Sequence, residues 1–158
     1  MNRNSGFSLI ELIIAVAIAG VLMGVGVVAL RPARFAVNQA AQTMASAIMQ
    51  TRFEAIKANR TAEITVSTAG SGFYEICVDE NDDGTCAAGE VVDRLDFGVD
   101  DYGQVALSAT TLDNSRVRFD RRGIPMEGVS GRTVTLSQRS GSHERTVVLN
   151  STGRAEVQ

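Results

Sequence analysis

The stretch from Asp79 to Glu90 spaces its oxygen-bearing side chains as calcium loops do. Asp79, Asn81, Asp83 and Glu90, with Gly84 at the turn, match the pattern D-x-[DN]-x-[DN]-G-x5-E. Carboxylate and amide oxygens suit calcium, the glycine permits a sharp turn, and the last glutamate can close the shell with both oxygens. However, the flanks have the pattern of strands rather than helices, and Asp, Asn and Gly are ordinary turn residues. A calcium site and a plain turn both remain open.

Two cysteines, Cys77 and Cys86, accompany this loop. A disulfide between them would close a loop of ten residues. By the loss of entropy in the unfolded chain, a disulfide that closes a loop of this length stabilises the folded protein by roughly 2–3 kcal/mol. Oxidising compartments favour the bond. We therefore predict a Cys77–Cys86 disulfide in an exported domain.

The C-terminal part of the chain is rich in arginine. The arginines there are Arg116, Arg118, Arg121, Arg122, Arg132, Arg139, Arg145 and Arg154. Arginine side chains of this kind can contact phosphate groups. Glu156 follows Arg154 closely and would weaken such a contact, and no aromatic residue is interleaved to stack on bases. A solvated strand face is the alternative interpretation.

No pattern typical of an enzyme emerges. His143 is the only histidine, and it lies in a polar Ser-Gly-Ser-His-Glu turn where we expect exposure rather than catalysis. The sequence has no nucleophile motif, phosphate loop or cysteine-rich metal cluster. We therefore predict a non-enzymatic protein without a cofactor, unless the acidic loop binds calcium.

One acidic residue, Glu11, interrupts an apolar run from Phe7 to Leu30. As a helix this run would be about 36 Å long, which is enough to cross a bilayer. It is too long for a cleaved secretory signal. A charge in hydrocarbon costs roughly 2.5–3.5 kcal/mol and usually marks a functional residue. Arg3 and Arg31 flank the run on both sides, so the distribution of positive charge does not fix its orientation.

Beyond this run the pattern predicts an amphipathic helix from Ala33 to Asn59. Pro32 either kinks a continuing helix or begins a new one. The predicted core stripe consists of Val37, Ala41, Met44, Ile48 and Ala55, with Ala40 and Ala47 beside it.

From Ala62 onward the hydrophobic period becomes two, and short segments alternate with Gly, Asn, Asp and Ser turns. This is typical of antiparallel sheet. The predicted strands are 62–67, 72–78, 90–97, 105–107, 116–119, 132–138, 145–150 and 154–157. The fold class is therefore α+β: a long N-terminal helix, with a transmembrane first half and an amphipathic second half, packed on a C-terminal antiparallel β-sheet head.

The string Gly6-Phe7-Ser8-Leu9-Ile10-Glu11-Leu12 resembles the N-terminus of type IV pilins and type II secretion pseudopilins. This resemblance implies cleavage between Gly6 and Phe7 by a prepilin peptidase, followed by N-methylation of Phe7. It also implies a role in assembly for Glu11, the fifth residue of the mature chain. The carboxylate of an incoming subunit would pair with the Phe7 amine of a neighbour, which relieves the cost of two isolated charges.

Three parts of the head resemble the GspH/FimT class of minor pilins and pseudopilins. They are the segments 72–76, 118–125 and 147–154, of which Gly153-Arg154 is the best single marker. The pair is also readable as a turn glycine followed by an edge-strand arginine.

The resemblance implies a division into a leader (1–6), a transmembrane or filament-core helix (7–30), the amphipathic half of the helix (31–60) and a β-rich head (61–158). It implies a single-pass protein of the inner membrane, with its head in the periplasm, that enters a pilus or pseudopilus. The implied partners are other pilin subunits, the prepilin peptidase and the inner-membrane assembly platform. Two alternatives remain. The resemblance to FimT-like proteins also implies a DNA-binding minor pilin for natural transformation, in which Arg132, Arg145 and Arg154 would contact DNA phosphates. The other alternative is a single-pass membrane-anchored calcium-binding protein.

Overall fold

The computed structural model describes residues 8–29 and 32–158. It contains two long helices, α1 (Leu9–Ala29) and α2 (Pro32–Ala58). Pro32 is the first described residue of α2. The two interpretations of Pro32 differ at residues 30 and 31, which lie outside the described residues, and both stay predictions. The chain divides into two compact units, Met1–Pro32 and Ala33–Gln158.

In the first unit the described structure is the helix α1 and Ser8 before it. We predicted that the run 7–30 crosses a membrane. Among the residues that the structure describes, no helix meets the combined length and apolarity needed for a membrane span.

In the second unit, α2 presents one face to the core of the head. All seven residues of the predicted stripe are buried, and none is more than 2% exposed. Thr51 lies on the same face and is fully buried, and its hydroxyl donates to the carbonyl of Ala47 at 2.8 Å. This bond within the helix satisfies the one polar side chain on that face. The amphipathic half of the helix is confirmed.

Eight strands follow α2, close to the predicted positions. They are β1 (Ala62–Ser67), β2 (Phe73–Val78), β3 (Val91–Asp96), β4 (Val105–Thr110), β5 (Arg116–Phe119), β6 (Thr133–Gln138), β7 (Glu144–Leu149) and β8 (Ala155–Val157). All the pairings between them are antiparallel. The α+β class and the antiparallel head are thus confirmed.

The head contains two sheets where we expected one. The first sheet has the order β3-β2-β1-β5 and the second has the order β4-β6-β7-β8. The strand β5 returns to pair with β1, although β4 before it belongs to the other sheet. The two sheets and α2 enclose a common hydrophobic core, to which Ile64 and Ile76 contribute from the first sheet and Val134 and Leu136 from the second.

The register of the first sheet fixes which loops share an end. Ala62 at the start of β1 pairs with Val78 at the end of β2 and with Phe119 at the end of β5. At the other end, Phe73 pairs with both Ser67 and Asp96. The segments before β1, after β2 and after β5 therefore meet at one end of the sheet, and the segment after β3 leaves from the opposite end.

Candidate functional site

Glu11 lies in the first turn of α1. The carbonyl of Ser8 accepts the N–H groups of Glu11 at 3.0 Å and of Leu12 at 3.2 Å, so Ser8 begins the helix. The side chain of Glu11 is exposed, and it is the acidic residue of the first turn, where the helix dipole favours negative charge. Gly6 and Phe7, the predicted processing site, lie outside the described residues.

The described side chains of α1 form an exposed apolar surface. Three consecutive positions, Leu12, Ile13 and Ile14, are each more than half exposed. Because consecutive residues point in different directions around a helix, the apolar surface is not confined to one stripe. A helix that is apolar on all sides is normally buried, either within a protein assembly or within a membrane.

Helix α2 carries a second apolar stripe on the face opposite the core. Phe35, Met49, Phe53 and Ile56 are exposed, and their positions differ by 14, 4 and 3 residues. This spacing places them along one side of the helix. We did not predict this stripe, although the spacing of its residues is readable from the sequence.

The loop after β2 contains the four candidate calcium ligands. Backbone N–H groups of the same loop donate hydrogen bonds to the side-chain oxygens of these ligands. The two carboxylate oxygens of Asp79 accept the N–H groups of Asp83 at 3.2 Å and Gly84 at 2.9 Å. The Oδ1 atom of Asn81 also accepts the N–H of Asp83, at 3.0 Å.

The other two candidates, Asp83 and Glu90, behave in the same way. Asp83 accepts the hydroxyl of Thr85 at 2.5 Å and the N–H of Thr85 at 2.8 Å, and these two bonds, the hydroxyl first, lower the pKa of the Asp83 carboxyl. Glu90 bridges the loop, accepting the N–H of Glu80 at 3.0 Å and of Ala87 at 2.8 Å. Within residues 8–29 and 32–158, no group of three or more acidic, histidine or cysteine side chains is arranged to hold a metal ion. The observed geometry is that of a self-bonded turn.

The disulfide between Cys77 and Cys86 is present, as predicted. Cys77 is buried in β2 and Cys86 lies in the exposed loop. The bond therefore ties the tip of the acidic loop to the edge of the core.

The three candidate DNA contacts do not form a common surface of free cations. Arg132 donates to the Asp113 carboxylate at 2.6 Å and to a backbone carbonyl, and Arg145 donates to the side-chain oxygen of Asn38 at 2.8 Å. Arg154 lies 3.7 Å from Glu156, the neighbour that we expected to weaken a phosphate contact. Nothing in this arrangement favours DNA binding.

His143 is half-buried rather than fully exposed. Its Nε2 lies 3.3 Å from the side-chain oxygen of Asn38. Burial lowers its pKa, as do the nearby charges of Arg145 and Arg34. The histidine contributes to the contact between α2 and the second sheet.

A polar cavity that the sequence pattern does not predict lies where β1 begins and β5 ends. Its volume is about 370 Å³. The residues that line it are Asn59, Arg60, Thr61, Asp82, Asp120, Arg121 and Arg122. They come from three segments that are distant in sequence, and only the pairing of the strands brings them together.

Comparisons with known proteins agree with this architecture. The family described as "Type II transport protein GspH" matches residues 40–153, and the family described as "Prokaryotic N-terminal methylation motif" matches residues 1–27. The pilin-like protein PilA1 of Thermus thermophilus is 36% identical over 155 residues, which cover 97% of each chain.

Among solved structures, the fold is similar to that of the type IV minor pilin FimU of Pseudomonas aeruginosa. One crystal form gives a TM-score of 0.56 at 16% identity and covers 77% of this chain and 87% of the other. A second crystal form gives a TM-score of 0.52 at 15% identity, with 77% and 91% covered.

The apolar N-terminal helix, the helix-backed antiparallel head and these matches together define a structural subunit of a filament. The chain belongs to the type IV pilin and pseudopilin family, with a head of the GspH type. It is a pilus or pseudopilus subunit.

Proposed function

We propose that the protein is a minor subunit that joins a type IV pilus or a type II secretion pseudopilus through its N-terminal helix, and so supports pilus assembly or protein secretion. The observation that carries this proposal is the apolar surface of α1. It is exposed on consecutive positions, and Glu11 is the one charged residue in the described helix. Its role in the filament is structural rather than catalytic.

Before assembly, the chain is cleaved between Gly6 and Phe7 by a prepilin peptidase, and the new amine of Phe7 is methylated. The match of residues 1–27 to the N-terminal methylation motif supports this step. Until assembly, the chain is anchored in the inner membrane, where it contacts the assembly platform, and its head lies in the periplasm. The Cys77–Cys86 disulfide supports an oxidising compartment for the head.

During assembly, the Glu11 carboxylate pairs with the Phe7 amine of a neighbouring subunit. Both charges lie at the beginning of the apolar helix, where an unpaired charge in a medium of low dielectric is costly. The exposed stripe of α2 offers a further apolar surface for contact with neighbouring subunits.

Substitution of Glu11 tests this proposal. In cells that contain the complete machinery, the Glu11→Ala chain should reach the membrane and be processed normally, but it should be absent from sheared filaments. Glu80→Ala, which removes an exposed carboxylate from the head, is the matched control and should enter filaments normally.

Mass spectrometry of the wild-type chain should show a mature N-terminus at Phe7 that carries one methyl group. Normal incorporation of Glu11→Ala, or a mature chain that begins elsewhere, would overturn the proposal.

A further inference from the structure

The head has a groove beside the beginning of α2. The groove lies between the first turns of α2 and the strands β7 and β8, and its volume is about 460 Å³. Phe35 is 63% exposed there, so a large aromatic side chain is open to contact. The residues that line the groove include no acidic side chain, and they are Phe35, Asn38, Gln39, Gln42, Arg145 and Val157.

Two arginines bring positive charge to this groove. The Nε atom of Arg145 donates to the side-chain oxygen of Asn38 at 2.8 Å, which directs the guanidinium toward α2. Arg34 is exposed and precedes Asn38 by four residues, so both lie on the same side of the helix. Burial, followed by the charges of Arg145 and Arg34, lowers the pKa of His143. Both arginines are therefore close enough to act on the same ring.

Within residues 8–29 and 32–158, neither Arg34 nor Arg145 forms an ion pair with a carboxylate. The residues outside these ranges include no Asp or Glu. In addition, the sequence has no acidic residue from Leu12 to Phe53, a stretch that contains the first half of α2. The two positive charges are therefore available to an external anion.

The acidic side chains of the adjoining strands point away from the groove. Glu144 precedes Arg145 on β7, and Glu156 precedes Val157 on β8. Because side chains alternate along a strand, these two glutamates lie on the opposite face of the second sheet from the groove. Glu156 also lies 3.7 Å from Arg154, which balances its charge there.

The acidic turn at Asp100 and Asp101 contacts the other flank of α2. The hydroxyl of Tyr102, the next residue, lies 2.9 Å from that of Thr43. Thr43 follows Arg34 by nine residues, which is about two and a half helical turns. Thr43 and Arg34 therefore face opposite sides of the helix, and the acidic turn does not neutralise the groove.

The position of Arg34 in the sequence keeps it close to the apolar run. The run ends at Leu30, four residues before Arg34. Four residues rise about 6 Å in a helix and span at most about 14 Å when extended. The polar headgroup layer on each side of a bilayer is about 5–8 Å thick. In a chain anchored by this run, Arg34 and Phe35 therefore lie in or next to the headgroup layer.

We propose that Arg34, Phe35 and Arg145 dock the head on anionic phospholipid headgroups of the membrane that anchors the chain, before the subunit enters a filament. Arginine forms strong, bidentate hydrogen bonds with phosphate groups. An exposed aromatic side chain inserts at the boundary between headgroups and acyl chains, while neighbouring arginines stay at the surface. This inference rests on the proposed function, because it requires the membrane anchor. The docked state precedes assembly, since Phe35 also belongs to the stripe that we assign to contacts with neighbouring subunits.

Fluorescence quenching by brominated lipids tests the docking in proteoliposomes that contain the full chain. The two cysteines of the sequence, Cys77 and Cys86, are joined to each other, so a dye labels only an introduced cysteine. A nitrobenzoxadiazole dye at Gln39→Cys reports on the groove. The same dye at Ser130→Cys is the control, because Ser130 is exposed at the other end of the second sheet.

All vesicles contain the same fraction of brominated phosphatidylcholine, and the remaining lipid is either phosphatidylcholine or phosphatidylglycerol. The dye at Gln39→Cys should be quenched several-fold more in the phosphatidylglycerol vesicles, whereas the dye at Ser130→Cys should be quenched equally in both. High salt should reduce the difference, because it screens exposed charges.

Removal of charge provides a second measurement. Arg34→Gln combined with Arg145→Gln should abolish the difference between the two vesicle types. Arg34→Gln alone should reduce it while the bond from Arg145 to Asn38 stays in place. The matched control is Arg121→Gln, which changes an exposed arginine near the other end of α2 and should leave the difference unchanged.

Three results would overturn the docking. Equal quenching at Gln39→Cys in both vesicle types, for a chain that resists carbonate extraction, would leave the proposed function intact. Extraction of the chain by carbonate would overturn the membrane anchor as well. Shielding of the dye only in membranes that contain the other subunits would assign the groove to a protein partner instead of a lipid.

Discussion

The Glu63 carboxylate lies 3.2 Å from the Arg116 guanidinium, although Glu63 is only 8% exposed. The two residues belong to the neighbouring strands β1 and β5, and the hydroxyl of Thr65 donates to the same carboxylate at 2.9 Å. A nearly buried anion is thus held by one charged donor and one neutral donor.

Arg116→Ala should lower the free energy of unfolding by about 1–3 kcal/mol, because it leaves the Glu63 carboxylate buried with only a hydroxyl donor. Urea denaturation of the detergent-solubilised chain measures this change. The control is Lys57→Ala, which breaks an exposed i,i+3 pair with Glu54 and should cost less than about 1 kcal/mol. Equal losses in the two variants would show that burial does not strengthen the Arg116 contact.

Gly153→Ala should destabilise the head. Gly153 is buried with a φ of +75°, and a Cβ there would lie 2.6 Å from Phe119 Cε1 and 2.7 Å from Pro125 Cγ. The left-handed backbone and the overpacking together should cost about 2–4 kcal/mol. Thermal unfolding measures the loss as a lower Tm. Gly128→Ala is the control, since a Cβ at Gly128 would meet nothing within 4 Å. An unchanged Tm for Gly153→Ala would contradict the close packing.

Reduction of the Cys77–Cys86 disulfide should lower stability by roughly 2–3 kcal/mol, because the open loop gains entropy in the unfolded chain. The double variant Cys77→Ala with Cys86→Ala should reproduce this loss, and a reducing agent should then have no further effect on its Tm. A decrease in Tm when the double variant is treated would mean that the reducing agent acts elsewhere. Two free thiols in protein taken from its native compartment would refute the bond itself.

The titration of Tyr74 should be displaced to high pH. Burial, followed by the nearby Asp93 and Tyr102, raises the pKa of Tyr74 to about 12. Because the folded value exceeds the ordinary value of about 10, this residue contributes stability that is fully present below pH 10. That contribution is lost as the pH rises from 10 to 12.

Ultraviolet absorbance of tyrosinate measures this titration, since the chain has only two tyrosines. Tyr74→Phe should remove a step near pH 12, whereas Tyr102→Phe should retain it. If Tyr74→Phe instead removes a step near pH 10, burial does not raise the pKa of Tyr74.

The local elements were largely predictable from the sequence. The boundaries of β1 and β5 agree with the prediction residue by residue, and the buried stripe of α2 follows directly from its 3.6-residue period. Gly153 was also readable as a turn glycine, which its positive φ confirms. These features depend on neighbours in the sequence, which a pattern can show.

The division into two sheets and the polar cavity were not predictable in this way. The alternation of apolar and polar residues shows that β4 and β5 each have a buried face. It does not show which strand each of them pairs with. The cavity depends on that pairing, because Arg60 and Arg121 meet only when β5 lies beside β1.

The calcium motif shows a different limit of the sequence. Its spacing places carboxylates correctly for a metal, but the same spacing allows Asp79 to accept two backbone N–H groups of its own loop. The spacing of carboxylates in a sequence does not show whether they bind a metal ion or accept hydrogen bonds from the backbone.

The burial of one face of α2 across the head has a mechanical consequence. Its core residues run from Val37 to Ala55 and belong to the same hydrophobic cluster as residues of both sheets. A pulling force along the axis of α2 would therefore act in shear on all of these contacts together, rather than peel them apart one at a time. Because shear loads many contacts in parallel, such a head would resist being torn from its helix when a filament is under tension.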